Sequence, residues 1–317
     1  MKLLKITEND ANQRLDKFLK KLLPNSSLSL VYKINRKNKI KVNGKREDNE
    51  YKIQIGDEIK IFLSDSEFDV LTENKELVRR ESSSQLSTDD IVYEDSSILV
   101  INKSPGIIVH PGDFKTKDIS LIQQVHDYLG GKLNSLTFKP SLVHRIDKDT
   151  SGIILIAKTK MSLDFLLKDL QSNKIEKYYL AIVLGEPEKD SGIIDKKLLR
   201  IENAKAENKI QVNEEDGQKA ITHYKVIQKN IKGKYSLIEC KLETGRMHQI
   251  RVHLASIGCP VLGDKTYGNS SENSFAKINY GIQRQLLHAY KVVFTHPEKR
   301  TKITLEARLK DDMKSMM

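Results

Sequence analysis

Ser141-Leu142-Val143-His144-Arg145-Ile146-Asp147-Lys148-Asp149-Thr150-Ser151-Gly152 runs directly into Ile153-Ile154-Leu155-Ile156-Ala157. The second half is a continuous apolar run of strand length, which predicts a strand buried on both faces. The first half is a dense polar loop feeding that strand, and loops at strand ends are where a scaffold displays reactive groups. Residue types alone leave Asp147 open as nucleophile, base, metal ligand or turn former. Asp, Thr, Ser and Gly are also the ordinary residues of tight turns.

Working outward, Met161 to Leu170 has helical spacing and Tyr178 to Leu184 is a second buried-strand candidate. Ile91-Val92-Tyr93 and Ile98 to Ile101 are expected to pair around a turn at Asp95-Ser96-Ser97. Ile119 to Leu129 reads as an amphipathic helix closed by Gly130-Gly131. His288, Tyr290, Val292 and Phe294 alternate as a strand does, whereas 186–235 reads as irregular, polar and peripheral. Strands and helices mix without regular βα alternation, so the expected class is α+β rather than a doubly wound sheet.

Residues 12–62 read as a separate small αβ module. Leu15, Phe18, Leu19 and Leu22 form one apolar stripe on a short helix that ends at Pro24-Asn25. A second helix turns Leu28, Val31 and Ile34 inward and leaves Lys33, Arg36 and Lys37 on other faces. Ile40-Lys41-Val42 alternates before an Asn43-Gly44 turn, and Tyr51, Ile53, Ile55, Ile59 and Ile61 suggest further strands around Gly56-Asp57. The stretches QRLDKFL, VYKINRKNKIKVNGKR and IQIGDEIKIF resemble the S-four-type RNA-binding module. That resemblance implies phosphate contacts from Arg14, Lys33, Arg36, Lys37, Lys39 and Lys41.

Between the two blocks, 63–90 is acidic and Ser-rich and is expected to be an extended linker, with the second domain spanning 91–310. Charge follows the same division. Residues 1–62 carry 15 basic and 8 acidic side chains, 63–90 carry 3 and 8, and 91–317 carry 36 and 27. Two basic blocks totalling more than the overall +11 suit a polyanionic partner through counterion release, although a Lys-rich solvated surface would look the same. No stretch approaches the roughly 20 apolar residues of a membrane span. Charges enter the N-terminal segment before any signal-type apolar region forms. The two cysteines, Cys240 and Cys259, lack metal-type spacing, so a cytoplasmic protein with reduced thiols is expected.

HRIDKDTSGIILIAKT resembles the signature of the RluA-type pseudouridine synthases, and further blocks follow the family's order: INKSPGIIVHPG at 101–112, EKYYLAIVLG at 176–185 and LETGRMHQIRVHLASIGCPVLGDKTYG at 242–268. The N-terminal module is a usual companion in the RluC and RluD branches. The resemblance implies a mixed, largely antiparallel sheet with flanking helices, and an isomerase acting on uridines of structured RNA, with large-subunit ribosomal RNA the expected target. It assigns the catalytic carboxylate to Asp147, its cationic partner to Arg251, the ring stacked on uracil to Tyr179, an apolar neighbour of that ring to Ile250, and the side chain that replaces the flipped nucleotide to Arg145. The base never leaves the site, so no cofactor, metal or obligate protein partner is expected. His144 and His248 are expected to orient the loop, His110 to be structural and Asp149 to form a turn. Ser104-Pro105 departs from the family's Asn-Lys-Pro pattern, which bears on that loop's shape. Rival readings are a non-catalytic RNA-binding assembly factor, a pseudouridine synthase acting on transfer RNA and a phosphate-handling hydrolase. The last lacks a Gly-rich phosphate loop.

Overall fold

The computed structural model describes residues 1–72, 86–111, 119–130, 135–201 and 209–317. At its N-terminal end are β1 (Lys2–Lys5), α1 (Leu15–Leu22), α2 (Leu28–Arg36), β2 (Ile40–Val42), β3 (Glu58–Ile61) and α3 (Asp65–Thr72). Leu15, Phe18 and Leu19 on α1 and Val31 and Ile34 on α2 bury against Ile40, Ile59 and Ile61 of an antiparallel sheet ordered β1-β3-β2. The expected stripe is therefore the core, except that Leu28 stays exposed at the first turn of α2. The layer also takes in β1, outside 12–62.

Two expectations fail here for local reasons. The alternation over Tyr51–Ile55 does not extend into a strand, because the Asp57 carboxylate accepts from Gln54 N and the Tyr51 hydroxyl and folds the stretch into a turn. The supposed extended linker begins instead as α3. Ser64 Oγ accepts from Glu67 N while Glu67 Oε2 accepts from Ser64 N, a reciprocal capping box. Phe68 and Leu71 then pack on the module's core. The rest of the acidic stretch, 73–85, lies outside the described residues.

The large sheet grows from the stretch quoted first. In chain order its surroundings are β4 (Ile91–Glu94), β5 (Ile98–Lys103), α4 (Leu121–Leu129), β6 (Ser141–Leu142), β7 (Ser151–Ala157), α5 (Lys160–Gln171) and β8 (Glu176–Leu184). Then come β9 (Ser191–Asp195), β10 (Leu198–Ile201), β11 (Lys209–Val212), β12 (Ile221–Ile231), β13 (Tyr235–Leu242), α6 (Gln249–Ser256), α7 (Ser270–Tyr280), β14 (Leu287–Thr295), β15 (Lys302–Glu306) and α8 (Asp311–Lys314). The main path runs β4-β5-β7-β14-β8-β13-β12-β9, with β15 beside β14 and β6 beside β7. Every residue of β7 is buried, as its apolar run requires. Among the described residues all pairings in this sheet are antiparallel except β7 with β14, so the class is α+β with a mixed, largely antiparallel sheet.

The segment 186–235 is not irregular. It supplies β9 to β12, and β12 alone is eleven residues long. Its polar look arises because His223, Lys225 and Gln228 lie on a poorly covered face, and because register shifts after Val226 break the alternation. Similarly, α4 starts at Leu121 rather than Ile119, where Ser120 and Gln123 form a capping box.

The single parallel contact places the polar loop. Gly152 has φ +112°, and a Cβ there would lie 2.3 Å from Ala289 O. Only glycine lets β7 approach β14 this closely. One residue earlier, Ser151 Oγ lies 2.8 Å from Nδ1 of His288, a fully buried side chain whose Nε2 faces Ala307 O. Burial pushes this imidazole down to about 4, against about 6.5 when exposed. Below pH 6.5 the unfolded chain therefore binds a proton that the folded chain refuses, and stability is lost as pH falls toward 4. The loss from His288 is up to about 1.4 kcal/mol per pH unit. Urea unfolding at pH 7 and pH 5 should show a smaller acid loss in His288→Gln than in the parent; equal losses would refute the assignment.

Candidate active site

The loop 143–150 is held at both ends by the backbone. Val143 N donates to Leu155 O, Leu155 N donates to His144 Nε2 at 3.2 Å, and Thr150 N donates to Asp147 O. His144 keeps part of its surface in the cleft, yet burial, and then the Lys177 charge, push its imidazole down to about 3. It is thus a neutral acceptor closing the loop, the orienting role expected of it.

Two buried basic side chains hold the loop's second half. Lys103, 1% exposed at the end of β5, donates from Nζ to Ser104 O, Ile107 O and Lys148 O at 2.8 to 3.0 Å. Gly106 N also donates to Lys148 O, so the Ser104-Pro105 loop docks directly on the polar loop. From the other side Arg284, paired with Asp312 at 2.6 Å, donates through Nη1 to Asp149 O and Leu287 O. Asp149 therefore serves the loop through its carbonyl.

This framing presents the Asp147 carboxylate to a cleft of about 940 Å³. Arg251 Nη1 donates to Asp147 Oδ2 at 3.0 Å, while Nε and Nη2 form a two-pronged pair with Asp264 at 2.7 and 2.8 Å. Asp264 is itself fixed by the amides of Thr266 and Tyr267. Side-chain exposure falls from 25% at Asp147 to 6% at Arg251 and 1% at Asp264. One guanidinium thus spans a hidden carboxylate and a reachable one, which a lysine ammonium could not do in this geometry. Burial works against its charge, but the two carboxylates more than offset that and raise the Arg251 pKa above its ordinary value.

Arg251 and Ile250 reach the cleft because α6 begins abruptly. His248 caps it in the left-handed region at φ 55°, its Nδ1 2.9 Å from the Tyr267 hydroxyl and its Nε2 3.9 Å from Asp147 Oδ2. Gln249 ties the same turn to β12 through Ile221 O and Thr222 Oγ1. Tyr179, on β8, is 6% exposed and shares an apolar cluster with Ile250. Burial and then the Asp147 charge push its phenol up, so it stays protonated. Tyr178 faces away, its hydroxyl on Glu176 and its ring under Lys291. Exposed Arg145 lines the mouth, as does His110, which is not built into the interior. Asp147, Arg145, Tyr179, Ile250 and Arg251 therefore converge on one cleft.

Residues 97–256 match the RNA pseudouridylate synthase family, and residues 13–59 match the S4 domain. The chain belongs to the RNA pseudouridylate synthase family. The synthase is 35% identical to the ribosomal large subunit pseudouridine synthase C of Buchnera aphidicola subsp. Baizongia pistaciae, over 96% of this chain and 93% of that one. It is 33% identical to the protein of the same name from Escherichia coli O157:H7, over 99% and 95%. Its fold is that of human RNA Pseudouridylate Synthase Domain Containing 4, with a TM-score of 0.57 and 24% identity over 72% of this chain and 92% of that one. The synthase is an isomerase acting on uridines of RNA.

Of the functional framework, sequence reading misses Asp264, Lys103 and Arg284. Gly263-Asp264 looks like an ordinary turn, and a lone lysine or arginine is normally a surface residue. The signal that could have found Lys103 is its place at the end of the apolar Ile98–Ile101 run, where the chain is already buried. In the small module, Lys33, Arg36 and Lys37 are exposed, and Lys33, Lys37 and Lys39 border one groove of about 480 Å³. Lys39 also pairs with Glu67 at 3.4 Å, and Lys41 lies over Phe62. Arg14, its side chain 42% exposed, pairs with Asp16 at 2.9 Å and with Glu50 at 3.1 Å.

Proposed function

We propose that the synthase isomerises specific uridines of large-subunit ribosomal RNA, with Asp147 as the catalytic carboxylate. The observation that carries this reading is the Asp147 carboxylate, gripped on one oxygen by buried Arg251 and open to a cleft walled by Tyr179 and Ile250. The reaction cuts the glycosidic bond, turns the uracil and rejoins it through carbon. An ionised carboxylate serves either by adding covalently to the sugar or base, or by taking a sugar proton to form a glycal. Tyr179 stacks on the uracil, offsetting part of the cost of unstacking it. Arg145, at the mouth, fills the space the nucleotide leaves. The ribosomal target follows the names of the relatives. Pseudouridine mapping of ribosomal RNA from cells with and without the protein tests it: one or more large-subunit positions should revert to uridine, and an unchanged map would overturn the target.

The small module supplies affinity through exposed Lys33, Arg36 and Lys37. Replacing all three by alanine should weaken binding to a ribosomal RNA transcript and reduce the log–log salt slope by roughly 2 to 3, since each phosphate contact releases nearly one counterion. An unchanged slope would remove these residues from the interface. Turnover at saturating RNA should survive.

A further inference from the structure

Asp10 lies in the turn after β1 and is fully buried, yet it is an acid in a small, solvent-facing module. Its carboxylate is shared with the large domain. Oδ1 accepts from Ser135 Oγ, Thr137 N and Thr137 Oγ1 at 2.8 to 2.9 Å. Oδ2 accepts from Leu136 N at 2.9 Å and from Thr7 Oγ1 at 3.1 Å. Four of these five donors therefore belong to a three-residue stretch 125 to 127 positions away. Two flanking contacts follow the same seam: Gln13 Nε2 donates to Thr137 Oγ1, and Lys160 N, at the start of α5, donates to Asn9 Oδ1. Five directional bonds on two oxygens admit one orientation, and a carboxylate whose acceptors are saturated is costly to leave half-satisfied.

We propose that Asp10 is the pin that locks the small module to the catalytic domain, and that it is thereby a specificity-determining residue. This rests on reading the module as an RNA grip. With the pin in place, Lys33, Arg36 and Lys37 stand at a fixed separation and angle from the Asp147 cleft. Only uridines at the matching distance from the gripped RNA element reach the cleft while both contacts are made. A module on a loose tether would lose the advantage of a preset geometry and would admit uridines at many distances.

The receiving stretch, 135–137, leads into β6 and the loop bearing Asp147, but no pinned residue touches the cleft. Catalysis on an RNA too short to use the module should therefore not depend on Asp10. Asp10→Asn keeps the volume but turns an N–H toward donors. Ser135→Ala combined with Thr137→Val removes two donors from the opposite side and guards against a folding defect peculiar to position 10. Spin labels on cysteines introduced at exposed Ser29 and Met161 report the separation, since Cys240 and Cys259 are buried.

In the full-length parent the label distance should be single and narrow, and both variants should broaden it. With a large-subunit ribosomal RNA transcript, KM should rise about tenfold and additional uridines should be modified, while kcat on a short stem-loop stays within about twofold. A narrow distance in both variants overturns the pin. An unchanged KM and site list on the long transcript overturns its role in specificity, and so does an equal loss on long and short RNA accompanied by a lower Tm, which marks Asp10 as structural only. Should the parent leave ribosomal RNA unmodified, the target reading falls, and the label distances alone then decide the pin.

Discussion

Asp147→Asn is expected to fold, to bind RNA as the parent does, and to lose isomerisation by roughly 10⁴-fold or more. The substitution is nearly isosteric, and the remaining carbonyl oxygen can still accept from Arg251 Nη1, now 3.0 Å from Asp147 Oδ2. What disappears is the negative charge that either attacks carbon or removes a proton, and among the described residues no neighbour replaces it. His144 is a neutral acceptor committed to Leu155 N, and the Tyr179 phenol is held protonated. Tritium release from RNA labelled at the uracil carbon that becomes joined to ribose reads the reaction directly. Near-parental release would remove Asp147 from the chemistry, and lost binding with unchanged chemistry at saturation would reduce it to an RNA contact.

The polar loop and the strand faces around this site are legible in the chain because they are local, whereas the roles of Asp147, Arg251, Tyr179, Ile250 and Arg145 rest on the family resemblance. Tyr179 falls on one face of an apolar strand and Tyr178 on the other, which alternation alone dictates. His144 to Thr150 is polar where its flanks are apolar, so the loop announces itself. What stays hidden is what depends on pairing across long separations. Nothing near Gly263-Asp264 indicates that it completes a bidentate pair with Arg251. Lys103 and Arg284 act through backbone carbonyls of Lys148 and Asp149, and carbonyls carry no residue-type signature. The N-terminal errors share a cause: β1 has only four residues, and α3 rests on a capping box within a Ser- and Asp-rich stretch that composition assigns to a linker. The segment 186–235 misleads because strands with one poorly covered face need few apolar residues.

Arg251→Met should damage stability and turnover together, and a second substitution should separate the two. Removing the guanidinium leaves Asp264, 1% exposed, without its cation, and such an uncompensated buried charge costs about 3 to 5 kcal/mol. The Thr266 and Tyr267 amides still satisfy part of it, which places the expected loss toward the lower end. Turnover should fall by roughly 10² to 10³-fold, the usual cost of deleting one preorganised electrostatic contact, because Asp147 loses the group that fixes its orientation. Adding Asp264→Asn to Arg251→Met removes the stranded charge, so chemical denaturation should show most of the stability returning. Turnover should not return, since nothing restores the contact to Asp147. Recovery of both would mean that Arg251 acts only by keeping the fold intact. Recovery of neither would mean that the α6 turn at His248, not the ion pair, holds this wall of the cleft. Arg251→Lys makes the complementary test: a point charge can satisfy Asp264 or Asp147 but not both, so stability should be largely kept while turnover remains low.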